Sequence, residues 1–141
     1  MVQAQILYPV FLQVALTFGL LFMLGPARVA AVKRGEVKLK DVALGQQAWP
    51  APITQIGNSY NSQFQVPVLF FVLVGLLLLT RKVDTIMIAL AWAFVVLRVA
   101  HAYVHVTSNH VSTRFRAFVA GVMVLLAMWL WFAWRVAGEG V

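Results

Sequence analysis

Arg98, His101 and His105 stand at i, i+3 and i+7 in the run AWAFVVLRVAHAYVHV, so a 3.6-residue period stacks one guanidinium and two imidazoles on a single helix face. Val95, Val96, Val99, Ala100 and Ala102 occupy the other faces, where lipid would be expected. A charge near mid-bilayer costs at least ~3 kcal/mol, so such a residue faces protein or a water-filled cavity and is a functional candidate by default. A second polar row, Asn58, Asn61 and Gln65, repeats the same spacing farther up the chain. Fixed cations, amides and imidazoles brought together suit an anionic or amphiphilic ligand. They do not suit a metal: the histidines form an i, i+4 pair with no Glu between them, and no apolar span carries a carboxylate or thiol. A haem would need a second axial histidine from an opposing helix, which only a symmetric oligomer could supply.

The elements that position these residues follow from composition. With 62% apolar and 11% charged residues in 141, there is too little polar surface to clothe a soluble globule, and the chain is read as an integral membrane protein. It has no cysteine, hence no disulfide framework and no thiol of its own. Eleven Lys/Arg exceed four Asp/Glu, but no basic stripe interleaves with exposed stacking aromatics, so a nucleic-acid partner is not indicated.

Ile6 to Leu24 gives an apolar first span with no basic segment before it and no cleavage site, so it is kept in the mature chain. Gly25-Pro26 ends that run, and a basic connection with Arg28, Lys33, Arg34, Lys38 and Lys40 follows, closing in WPAP. The run from Val66 to Thr80 is too short to cross a bilayer. Its helix must start near Tyr60, which draws Asn61, Gln63 and Gln65 inward, and Pro67 favours a kink at Gln63. Further spans are expected over residues 85–106 and 117–134, joined by TSNHVSTR. The last ends in Trp129, Trp131 and Trp134, which read as an interface belt.

The expected architecture is one all-α domain, a four-transmembrane-helix up-and-down bundle with spans at about residues 6–24, 60–80, 85–106 and 117–134. Loops on the side of the first connection carry seven Lys/Arg and the opposite ends three, so both termini are placed outside the cytoplasm; a bacterial inner membrane is the expected location. The second span then starts, and the third ends, at the cytoplasmic side, and their polar faces meet in one leaflet. Arg98 lies roughly 13 Å inside the third span's end, with Arg114 and Arg116 at the rim. Quieter readings stand beside this one: Arg98 bonding carbonyls to lock helix packing, His101 and His105 as satisfied interior side chains, and the amides as interhelical glue. Four thin spans are not expected to enclose Arg98 alone, which points to an obligate oligomer.

The basic loop, the NSYNSQFQVP entrance to the second span and the pattern R-x2-H-x3-H-x8-R from Arg98 to Arg114 together resemble the MAPEG family, the membrane-associated proteins of eicosanoid and glutathione metabolism. The likeness spans nearly the whole chain. It implies a homotrimer that binds glutathione between subunits near the cytoplasmic face and takes a hydrophobic small molecule from the membrane lipids. Such a protein would be a glutathione-dependent transferase or peroxidase. The resemblance makes Arg114 the catalytic residue, stabilising the thiolate, and makes Arg28, Asn58, Asn61, Gln65, Arg98, His101 and His105 ligand-binding. Three positions depart from the family pattern. His105 stands where Tyr is common, no Arg precedes the Asn by about one turn, and Gln65 replaces an acid, so the ion pair to an α-amino group is lost. A non-catalytic lipid-binding or scaffold protein of the same fold is the alternative.

Overall fold

The apolar runs fold as helices because a bilayer leaves no other partner for backbone N–H and C=O groups. In the computed structural model, which describes residues 2–138, the helices are α1 (Val2–Gln5), α2 (Leu7–Lys33), α3 (Leu39–Val42), α4 (Ala51–Ser62), α5 (Val66–Leu79), α6 (Thr85–Val106) and α7 (Val111–Gly138). Four stretches are long and apolar enough to cross a membrane: Val2–Lys33, Ala51–Leu79, Thr85–Val106 and Val111–Gly138.

The helices run up and down. Gln3 Nε2 donates to the Arg81 carbonyl (3.2 Å), and Arg135 Nη1 donates to the Lys82 carbonyl and to Asp84 Oδ2 (both 2.7 Å). The start of the first span, the turn between α5 and α6 and the end of α7 therefore share one end of the bundle. Asp84 also caps α6 by accepting from the Met87 N–H (2.8 Å), and it accepts from Trp131 Nε1 (3.2 Å). Trp131 is thus tied into the fold, whereas Trp134 stays two-thirds exposed, as a belt residue would be.

A core of Phe70, Leu73, Leu77, Met87, Phe94, Leu125 and Met128 fills the bundle between α5, α6 and α7, with Phe70 and Phe94 stacked at 4.9 Å. A smaller cluster, Leu24, Ala31 and Ile53 with Ala27, Trp49, Ile56 and Tyr60 against it, seats the end of α2 on α4. That packing explains why Gly25-Pro26 does not stop the first helix. Pro26 lies inside α2, where it removes one donor, and apolar contacts on both sides hold the helix together as far as Lys33. The extension carries Arg28 toward the site.

The kink expected at Gln63 is a full break between α4 and α5, and α4 begins at Ala51, nine residues before the expected start near Tyr60. Side chains re-satisfy the freed backbone. Gln63 Nε2 donates to the Ser59 carbonyl (2.9 Å), and Gln13 of α2, fully buried, donates to Gln63 Oε1 (2.8 Å). Gln13→Leu should leave the Gln63 oxygen unpartnered among apolar atoms and lower stability by about 1–2 kcal/mol. Thermal unfolding in detergent checks this, and an unchanged melting temperature would show that the amide pair contributes nothing.

Candidate functional site

The expected connection TSNHVSTR is shorter than its eight residues, because α7 starts at Val111, six residues earlier than anticipated. Two local devices set this start. Asn109, at φ +50°, donates its N–H to the Val104 carbonyl (2.7 Å) and closes α6. His110 Nδ1 then accepts from the Thr113 N–H (3.3 Å) and pairs with Thr113 Oγ1 (2.9 Å), capping α7. Arg114 accordingly sits half-buried on the first turn of α7 and not on a solvated loop, with its Nη1 donating to Asn109 Oδ1.

Arg114 opens onto a cavity of about 440 Å³. Asn58, Asn61, Ser62 and Gln65 form one wall at the α4–α5 break, His101 and His105 of α6 form the back, and Val111, Phe115 and Phe118 of α7 form an apolar side. His101 and His105 are 5% and 7% exposed, their rings meet edge to face at 5.5 Å, and neither Nδ1 has a partner among the described residues. Five of the sequence-picked residues other than Arg114 thus line one space: Asn58, Asn61, Gln65, His101 and His105.

Arg98 and Arg28 are placed differently. Arg98 does not line this cavity. It lies behind it, 2% exposed, and donates to the Ser62 hydroxyl (2.8 Å) and carbonyl (3.2 Å). The single chain therefore encloses Arg98, contrary to the expectation that an oligomer would be needed for that, because the break in the second span offers a carbonyl and a hydroxyl at the right depth. Its partner is Ser62, a residue the sequence reading passed over, while Asn61 and Gln65 are exposed.

Arg28 lines an adjoining cavity of about 240 Å³ that shares Asn58 and Asn61 with the first. Its guanidinium lies 4.9 Å from the Trp49 ring centroid, and its buried Nε has no partner. Gly57 leaves room for this placement: a Cβ there would lie 3.3 Å from Arg28 Nη2, close enough to push the guanidinium by a few tenths of an ångström. Gly57 precedes Asn61 by one turn, so a guanidinium from α2 occupies the neighbourhood where an arginine on α4 was missing.

Sequence reasoning also missed the α7 contributions. Phe115 and Phe118 flank Arg114 at i+1 and i+4 and bring an apolar wall to a charged site. The N-terminus of α7 adds the positive end of a 28-residue helix beside Arg114. Only the correct start of α7 reveals this, and the cue was His110 followed by Thr113. No group of three or more His, Cys, Asp or Glu among the described residues could hold a metal.

An all-α bundle of four helices long and apolar enough to cross a membrane, with a polar cavity where the second, third and fourth spans meet, defines a multi-pass integral membrane protein. The sequence matches the MAPEG family over residues 6–134, and the chain belongs to that family. At family level this supports a membrane role related to glutathione, of the transferase, peroxidase or an allied kind. No curated protein and no solved structure matches the chain.

Proposed function

We propose that the protein binds glutathione with its thiol at Arg114 and acts as a glutathione-dependent transferase or peroxidase on a hydrophobic small molecule that arrives through the membrane. The observation that carries this reading is the convergence of Arg114, the N-terminal turn of α7, both imidazoles and three amides on one cavity bordered by phenylalanines. A guanidinium and a helix N-terminus both favour a thiolate over a thiol and so raise the nucleophile present at neutral pH. In conjugation, the sulfur forms a bond to an electrophilic carbon, the leaving group departs with its electron pair, and the thiol proton goes to solvent. Val111, Phe115 and Phe118 supply the apolar side on which such a substrate can rest.

The adjoining cavity fits a carboxylate of the peptide. Arg28 brings an unpartnered Nε and a stacked guanidinium, and Asn58 and Asn61 connect the two spaces. Arg98 acts from behind, holding Ser62 and through it the wall of the cavity. The amino end of the ligand belongs at Asn61 and Gln65, where an amide replaces an acid. Gln65→Glu should restore an ion pair to the α-amino group and tighten glutathione binding by roughly 10-fold. Calorimetry on the detergent-solubilised protein measures this, and an unchanged Kd would contradict the assigned orientation.

The working unit of this reading is a homotrimer, with the cavity at the subunit junction and toward the cytoplasm, both termini outside, in a bacterial inner membrane. Asn58, Asn61 and Gln65 support it, since exposed amides on a membrane helix call for protein or water beside them. Gln65 also favours a second reading, a lipid-binding or scaffold member of the fold without catalysis. Conjugation of an aryl halide by the purified protein, run alongside glutathione calorimetry, separates the two. Turnover supports the enzyme; tight lipid retention with neither glutathione binding nor turnover supports the second.

A further inference from the structure

The end of α2 carries a third cavity on the far side of Arg28 and Trp49 from the one assigned to the carboxylate, a groove of about 310 Å³ lined by those two residues with Val29, Val32, Lys33 and Leu39. Its exposed lining is wholly apolar. Val29 and Leu39 stay 54% and 68% exposed beside it. α2 is long and apolar enough to cross a membrane and the groove lies along its last turns, so the groove is expected at headgroup depth, where a Trp ring such as Trp49 is at home.

The rim is positive. Lys33 closes the groove, and Lys38 and Lys40 flank Leu39; none of the three has a hydrogen bond or ion pair among the described residues. Arg34 is neutralised locally: it donates to Glu36 (2.9 Å), and that hydrogen bond holds the Glu36 carboxyl below its ordinary range. Asp41 is the one acid left against three free lysines.

We propose that this groove is a site for an anionic phospholipid, with the start of an acyl chain along Val29, Val32, Leu39 and Trp49 and the phosphate held by Lys33, Lys38 and Lys40. The combination selects this occupant. A soluble anion would use the lysines and leave the apolar wall bare; a zwitterionic lipid would use the wall and cancel much of the attraction of the lysines. Amphipathic segments with basic residues beside apolar ones bind anionic membrane surfaces in this way. The groove shares Arg28 and Trp49 with the adjoining cavity, but the three lysines assigned to the phosphate line neither cavity of the glutathione reading.

The test is native mass spectrometry of the purified protein after incubation with equal amounts of phosphatidylglycerol and phosphatidylcholine. Each lysine near an anionic surface is worth on the order of a 5-fold preference, so the protein should retain phosphatidylglycerol over phosphatidylcholine by about 10-fold or more. The combined variant Lys33→Gln, Lys38→Gln, Lys40→Gln should lose that preference while keeping the oligomeric mass and helical circular dichroism of the parent. Leu39→Ser should release phosphatidylglycerol while the lysines remain. Equal retention of the two lipids by the parent overturns the proposal. So does an unchanged preference in the lysine variant, or displacement of the lipid by glycerophosphoglycerol alone at equal concentration, which would reduce the site to a phosphate contact. A lysine variant that changes oligomeric mass in place of lipid retention would make the groove a contact between copies and likewise overturn it.

Discussion

Arg98→Leu should lower the stability of the protein by about 2–4 kcal/mol, the largest effect expected of any single substitution in the membrane-embedded region. The cost arises at the break between α4 and α5. The Ser62 carbonyl receives the Gln65 N–H only at 3.4 Å, and Arg98 supplies its better-placed neighbour at 3.2 Å together with a bond to the hydroxyl at 2.8 Å. Leucine offers no donor, so the Ser62 carbonyl and hydroxyl both lose their charged partner. Melting in detergent should fall by on the order of 5–10 °C. Ligand affinity should fall with it, since Ser62 lines the cavity. Arg98→Lys keeps a donor but not the planar fork and should lie between the two. An Arg98→Leu protein that melts like the parent would show that the break is held by the Gln13 and Gln63 amides alone.

Arg114→Leu should behave in the opposite manner. Its structural loss is confined to the bond with Asn109 Oδ1, at a half-buried position, and should cost about 0.5–1 kcal/mol. Turnover should drop by on the order of 10- to 1000-fold, the range for a lost electrostatic stabiliser. The pKa of bound thiol should rise at the same time, because the guanidinium no longer favours the anion. Arg114→Lys should recover part of both. Full activity with an unshifted thiol pKa in Arg114→Leu would remove the catalytic assignment.

The contrast between these arginines also shows what the sequence could and could not disclose. Periodicity placed Arg98, His101 and His105 on one face of α6, and α6 spans Thr85–Val106, the limits read from the chain. Pro67 pointed to the break because a residue without an N–H suits the first turn of a new helix, which is where it stands in α5, whereas Pro26 inside α2 is carried by the packing around it. What periodicity cannot show is the partner across a gap. Ser62 meets Arg98 where the chain stops being helical after it, and Arg28 reaches the adjoining cavity because α2 continues past Pro26, beside the space that Gly57 leaves. The start of α7 was misplaced for a related reason. Capping by His110 is a local exchange of hydrogen bonds that hydropathy does not register, so hydropathy alone leaves Arg114 on the connection and does not disclose its contact with Asn109.

Ionisation of bound glutathione tests the central claim most directly. Thiolate absorbance should be recorded on the purified protein with glutathione between about pH 6 and about pH 9, a range that brackets an ordinary thiol pKa of about 8.5. The account predicts a thiolate signal that appears well below the pH at which free glutathione ionises and that moves back toward the free value in Arg114→Leu. A protein that binds glutathione without any such signal, or that fails to bind it at all across this range, would contradict the account.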